Sequence, residues 1–439
     1  MRVKFWKTQP IWASITSTTK KTRGEIWKYP TSLKFAFFFF FSNEYVFLIM
    51  GACPLTSSYS LIKIVSKELV CQIEMTEFLG QEIAYAVEKE FNSLALKSGK
   101  PGVRSNGISE WSVLSGIVAL EDGIITVLAL STGVKAMPNE VRKYSHGWIV
   151  QDCHAEILCL RLFNYLLLDQ IKLIESGKDH SKLLERSTSM KYKLRDGVKL
   201  ALYISEPPCG DASMSFLSED KVAWEGPKPK KQKVVRGRAH FDLHGIVRTK
   251  PGRADSRPTY SKSCSDKLCM KQFTGVLNCV NSLLIEPIYL SYLVLRQDKF
   301  SRKDFDRCFK GRISESSLEI HPLTPLTYKE SEYQYERNEL SSPSPASLLY
   351  VVPSKTSQVI VNGVKNGAYI KNKPPKPSGA SFICKRKLYE HACHLLPPFS
   401  SYEELKRSNK QRESIKASAR NILGSWPESL PDSFPLSIQ

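Results

Sequence analysis

The stretch Asp152-Cys153-His154-Ala155-Glu156-Ile157-Leu158-Cys159-Leu160, "DCHAEILCL", stands at the head of a long apolar run. In the middle of a regular helix, residues two apart do not face each other. His154 and Glu156 can therefore share a task only if the helix begins here, where first-turn side chains point over the helix end. Upstream, "HGWIVQ" leads into the motif; downstream, "AEILCLRLFNYLLLDQIKLIES" continues as a buried amphipathic helix. Next, "VKLALYISEPPCGDASM" reads as a strand from Val198 to Ile204 that ends on prolines and turns into a second helix start at Pro208-Cys209-Gly210. Strand, His-x-Glu, strand and Pro-Cys bring metal-ligating residue types to the ends of two helices. Those ends carry partial positive charge, which stabilises thiolates.

The whole chain frames this motif. Its 439 residues allow one large domain or two to three ordinary ones. A net charge of +20 favours a polyanionic partner, nucleic acid or an anionic surface. Eleven cysteines without tight pairs, and no convincing secretory signal, suit a reducing compartment in which a cysteine is a free thiol or a metal ligand. Residues 1–74 read differently. "LKFAFFFFFSNEYVFLIM" (Leu33 to Met50) is interrupted by Ser42, Asn43 and Glu44. It falls short of the roughly 18 to 20 apolar residues of a membrane span. The expectation is a poorly structured N-terminal extension or gene-model artefact over 1–74, no membrane partner, and one domain over 75–439.

From Met75 the signals become orderly. "TEFLGQEIAYAVEKEFNSLAL" has helical spacing, and "WSVLSGIVALED" with "GIITVLALSTGVK" reads as a hairpin across Glu121-Asp122-Gly123. "EGPKPKKQKVVRGR" (Glu225 to Arg238) is an exposed basic insertion. "KLCMKQFTGVLNCVNSLLIEPIYLSYLVLR" reads as a helix followed by a strand, "SSPSPAS" and "KNKPPKPSG" as flexible punctuation, and "SYEELKRSNKQRESIKASARNIL" as one charged helix.

The motif order is that of zinc-dependent nucleobase deaminases, in which a histidine and two cysteines hold the metal and a nearby glutamate does not ligate it. Their usual second motif is Pro-Cys-x-x-Cys, but Ala212 stands three residues after Cys209. A third ligand must come from elsewhere, and Cys153, Cys159, Cys264, Cys269, Cys279 and Cys308 are candidates. Only Cys264 lies in a polar, lysine-flanked segment, "KSCSDK".

"DCHAEI", "PPCGDASM", "KPGRADS", "KSCSDK" and "EPIYLS", in that order, resemble the family of tRNA-specific and double-stranded-RNA adenosine deaminases from about Trp111 to the C-terminus. The resemblance implies a cytidine-deaminase-like three-layer α/β/α fold with a central mixed sheet, extended by a C-terminal α/β half packed around a buried polyanion. It implies His154, Cys209 and Cys264 as the ligands of one catalytic zinc, and Glu156 as the proton shuttle. Zinc lowers the pKa of a bound water from about 16 to around 7; Glu156 would move protons from that water to N1 of adenine and to the leaving amino group. The products are inosine and ammonia.

The same resemblance implies buried inositol hexakisphosphate, held here by Arg161, Lys267, Lys385, Tyr402, Lys406, Lys416 and Trp426. Leu160 and Met270 depart from it, standing where relatives carry arginine, and Lys271 replaces an aromatic residue. Residues 1–74 show no α-β-β-β-α pattern of a duplex-RNA-binding domain. "GRAD" and Asn362–Ala368 ("NGVKNGA") look like the tRNA branch, although that branch more often has glycine at Ala254. The implied substrate is adenosine-37, 3′ of the anticodon in alanine tRNA, with Lys135 and Arg253 as RNA contacts. A monomer in nucleus and/or cytoplasm is expected. Two other readings stay open: an editor of duplex RNA whose partner supplies the duplex-binding surface, and a non-catalytic zinc and RNA-binding relative, against which an intact Glu156 argues.

Overall fold

The computed structural model describes residues 35–41, 44–50, 63–96, 98–177, 181–215, 235–237, 239–240, 243–250, 256–424 and 426–436. It divides into two units, Met1–Met75 and Thr76–Gln439. In the first, strands Phe35–Phe41, Glu44–Met50 and Lys63–Ser66 pair antiparallel. Helix α1 spans Lys67–Ser93. Among the described residues no helix is long and apolar enough to cross a membrane. Arg253 and most of the basic run 225–238 lie outside the described residues.

The second unit is built on an eight-stranded mixed sheet. In chain order its strands are β1 (Leu114–Glu121), β2 (Ile124–Thr132), β5 (Lys199–Ile204), β7 (Tyr292–Arg296), β8 (Thr324–Tyr328), β9 (Ala346–Val351), β10 (Thr356–Val361) and β11 (Val364–Lys365), with the short β3 (Val134–Ala136), β4 (Asp152–His154) and β6 (Arg248–Thr249) outside it. The spatial order is β8-β7-β5-β1-β2-β9-β10-β11. Strands β5, β7 and β8 run parallel, and the remaining pairs are antiparallel. The expected β1–β2 hairpin forms across Asp122-Gly123, both with positive φ, the two-residue turn whose twist matches the strands.

Period-two alternation sends side chains to two cores. Leu114 and Val118 of β1 and Ala201 and Tyr203 of β5 meet Ile83, Ala84, Val87 and Phe91 of α1 on one face. Ile117 and Ala119, with Leu200, Leu202 and Ile204, meet helix α2 (Ala155–Ser176) on the other. Helices α3 (Cys264–Thr274), α4 (Arg302–Phe309) and α5 (Lys385–Ala392) join α2 on that face. The fold is thus α/β, with helices on both faces of a mixed sheet.

The C-terminal charged segment differs from the single helix expected. It forms α6 (Tyr402–Ser408) and α7 (Lys410–Leu423), broken at Asn409. There the Asn409 side chain accepts from the Arg412 N–H at 3.0 Å, so a capping residue restarts the helix. "SSPSPAS" is also more ordered than expected, since Ser342–Pro343 pairs with Glu110–Trp111.

Candidate metal centre and the cation cluster behind it

His154 is the N-cap of α2, and Glu156 lies in its first turn. Strand β4 delivers them, paired with β3 so that Val134 faces His154 and Lys135 faces Cys153. Cys264 is the first residue of α3, whose start is fixed by Ser263: its hydroxyl accepts from the Asp266 N–H and donates to the Asp266 carboxylate, a reciprocal cap. Cys209 lies just before a 3-10 turn, Asp211–Ser213, that leads directly into α-helix at Met214–Ser215, the second helix start expected there. Packing against the α3 entry adds to its placement. Ser265 N–H donates to Cys209 O at 3.0 Å, and Ser265 Oγ donates to Pro208 O at 2.9 Å. Gly210 (φ +110) allows this approach, because a Cβ there would come within 2.2 Å of Ser263 Oγ.

These elements bring one ligand atom each of His154, Cys209 and Cys264 within 4.8 Å of one another. One imidazole and two thiols form a zinc donor set. The surroundings suit thiolates: Cys264 N–H donates to Cys209 Sγ at 3.3 Å, and Lys250 Nζ donates to Cys264 Sγ at 3.0 Å. A hydrogen bond from Cys264 holds the Cys209 thiol well below its usual range, while burial pushes Cys264 up. Glu156 is buried beside the set, and its charge acts on both Cys264 and Lys250. The other candidate thiols are core residues. Burial pushes Cys153, Cys159 and Cys269 up to about 12 and raises Cys308 well above its usual range. Cys279 instead donates to the Tyr402 hydroxyl at 3.0 Å.

Sequence reasoning missed the groups behind the ligands. The buried Asp152 carboxylate accepts from Lys250 Nζ at 2.8 Å on both oxygens, from Ser261 Oγ at 3.2 Å, and from Lys267 Nζ. Lys250, Asp152 and Lys267 thus form a continuous chain from Cys264 to the next cluster. Lys250 opens "KPGRADS" and Asp152 opens "DCHAEI", so both were in view without an assigned role.

That cluster gathers cations from α2, α3, α5, α6 and α7. Arg161 donates twice to Ile383 O; Lys385 pairs with Asp432 at 2.7 Å and lies 5.4 Å from the Tyr402 ring. Lys406 and Lys416 reach only Glu403 and Glu413 of their own helices, and Lys262 sits over Trp426. The cluster also includes residues with no assigned role at the outset, Arg142, Lys262, Arg412 and Arg420. Lys271 projects into it, donating to Leu277 O. Burial, with Arg412 and Lys416 nearby, holds Lys271 well below its usual range; burial lowers Lys385 and Lys416 too. Arg412 Nε and Arg420 Nε are buried without a hydrogen-bond partner. Leu160 and Met270, by contrast, are core residues. Lys135 is exposed on β3.

A family model described as an adenosine-deaminase (editase) domain matches residues 129–428. The chain is 38% identical over 373 residues to tRNA-specific adenosine deaminase 1 of Schizosaccharomyces pombe, covering 79% of this chain and 94% of that protein. To the protein of the same name from Saccharomyces cerevisiae it is 36% identical over 369 residues, covering 79% and 91%. To double-stranded RNA-specific editase B2 of Rattus norvegicus it is 26% identical over 366 residues, covering 74% of this chain and 47% of that protein.

Proposed function

The chain belongs to the adenosine-deaminase (editase) family, and from that membership we propose that it hydrolyses adenosine to inosine in transfer RNA, at adenosine-37 beside the anticodon of alanine tRNA. The observation that carries the chemistry is the convergence of His154, Cys209 and Cys264 within 4.8 Å, with the Glu156 carboxylate buried at the same helix end. These three side chains would hold zinc, which as a Lewis acid would make a water acidic near neutral pH. Glu156 would take a proton from the attacking water and pass it to N1 of adenine, then carry the proton of the hydroxyl added at C6 to the amino group, which leaves as ammonia. Serving in both directions requires its carboxylate to lie within hydrogen-bond reach of both the water and the ring nitrogen. His154 at the N-cap and Cys264 at a helix start also place the positive ends of α2 and α3 towards the thiolates.

The choice of RNA rests on length and identity. The chain accounts for 94% of the fission-yeast tRNA deaminase but 47% of the rat duplex editase. A loop base is also already unpaired, so extruding it costs less than in a duplex. The cation cluster is the site of a structural polyanion, inositol hexakisphosphate. Its support is the orphaned Arg412 and Arg420 donors and the crowding of Lys271, Lys385 and Lys416 with few acids. Phosphate analysis of denatured, purified protein tests this; active enzyme free of inositol phosphate contradicts it. We take the enzyme as a monomer acting in nucleus and/or cytoplasm. Incubation with alanine tRNA and with a long RNA duplex, followed by sequencing for A-to-G changes, tests the substrate. Changes at position 37 of the tRNA alone are expected, and changes in the duplex alone overturn the reading.

A further inference from the structure

Two segments next to the metal centre carry cations almost without acids. Residues 134–150 and 362–380 contain a single carboxylate, Glu140. Across them Lys135, Lys143, Lys365, Lys371, Lys373 and Lys376 are all exposed. Among the described residues, Lys365, Lys371, Lys373 and Lys376 have no ion-pair partner.

The segments form one surface. A small separate core of Met137, Val141, Ile149 and Val364, with Tyr144, Ala368 and Tyr369 against it, joins them. The Tyr144 and Tyr369 hydroxyls lie close to one another. Val150 N–H donates to Gly363 O at 2.9 Å, and Met137 N–H to Gln151 O at 2.8 Å. At one end this surface is the metal centre itself, because Val134 and Lys135 pair with His154 and Cys153. Val150 is four residues before His154, at most about 14 Å of chain, and Lys365 lies two residues beyond Gly363. Lys365 therefore lies within roughly 25 Å of the metal centre, about seven nucleotide steps of a helical backbone, and Lys135 lies nearer still, paired with Cys153.

We propose that this lysine surface, Lys365 to Lys376 together with Lys135 and Lys143, is the docking face for the phosphate backbone of the tRNA stem that flanks the edited loop. The inference rests on the tRNA deaminase reading and names the surface that reading leaves open. Lysine ammonium groups are point charges suited to phosphates rather than to base edges. They would set the register of the stem while the metal centre selects the base. The uneven charge of the two segments favours an RNA backbone over a protein partner, which would need acids of matching pattern.

The test is tRNA binding by gel shift across a salt series, in a Glu156→Gln background that turns over no substrate. Failure of the catalytic reading then leaves the binding result interpretable. Lys365→Gln/Lys371→Gln/Lys373→Gln/Lys376→Gln should weaken affinity about tenfold or more at low salt. It should also flatten the slope of log affinity against log salt by about three. Lys182→Gln/Lys199→Gln, at the end of the sheet away from the metal centre, should leave both unchanged. Melting temperatures of the variants identify any that fail to fold; for such a protein the four single substitutions replace the quadruple one, each flattening the slope by just under one. Unchanged affinity and slope in the quadruple variant overturn the proposal, as does an equal loss in the control pair.

Discussion

At the residue scale, the Cys264–Lys250–Asp152–Lys267 chain explains why a candidate metal centre with one buried and one half-buried thiol tolerates so much nearby charge. Lys250 offsets thiolate charge on one side and the Asp152 carboxylate on the other, and Lys267 completes the neutralisation. Lys250→Met should therefore lower zinc affinity by about 10- to 100-fold, the usual effect of losing a group that supports a metal ligand. Competition with a chromophoric chelator measures this; unchanged affinity contradicts it. Gly210→Ala should release zinc more severely, because the new methyl meets Ser263 Oγ at 2.2 Å on a backbone with φ +110. Metal content after gel filtration reads that loss. The grouping of His154 and Cys209 was legible from motif order, and that of Cys264 with them from the family resemblance. Lys250 and Asp152 were not, because a buried ion pair between residues 98 apart leaves no local pattern.

At the element scale, the centre depends on where helices start. Ser263 caps α3 and so fixes the orientation of Cys264. Ser263→Ala should cost about 1 kcal/mol of stability, read as a lowered denaturation midpoint with the denaturant slope unchanged; an equal midpoint contradicts the capping role. Strand and helix periods made β1, β2, β5 and α2 readable, since each buries one face or a continuous stripe. The second helix start was legible too: the prolines of "PPCGDASM" precede a 3-10 turn at Asp211–Ser213 that passes into helix at Met214. The break at Asn409 was hidden, because helical spacing continues through it and only the side-chain cap shows the restart. The cation helix α7 packs on α3, so the helix that supplies Cys264 is also a wall of the cation cluster.

At the scale of the whole molecule, the second face of the sheet carries a metal centre backed by a basic interior, and the two share Lys267. Lys271, Lys385 and Lys416 are each held below their usual range by burial, with Arg412, Arg142, Arg161, Lys406 and Lys267 adding to it and Asp432 and Glu413 opposing. A lysine with a depressed folded-state pKa binds fewer protons than in the unfolded chain. Its penalty is full below the folded pKa and is relieved as pH rises towards the unfolded value near 10.5. A bound polyanion removes that penalty at neutral pH. The gap in melting temperature between polyanion-bound and polyanion-free protein should therefore narrow as pH rises from about 7 to about 10; a constant gap contradicts the assignment. The most direct measurement of the central claim is inosine formed per enzyme in alanine tRNA by the wild type and by Glu156→Gln, matched for zinc content. The account predicts many turnovers for the wild type and a loss of about a thousandfold or more in the variant. A zinc-loaded Glu156→Gln enzyme that edits at the wild-type rate, or a zinc-loaded wild type that leaves the tRNA unedited, would contradict it.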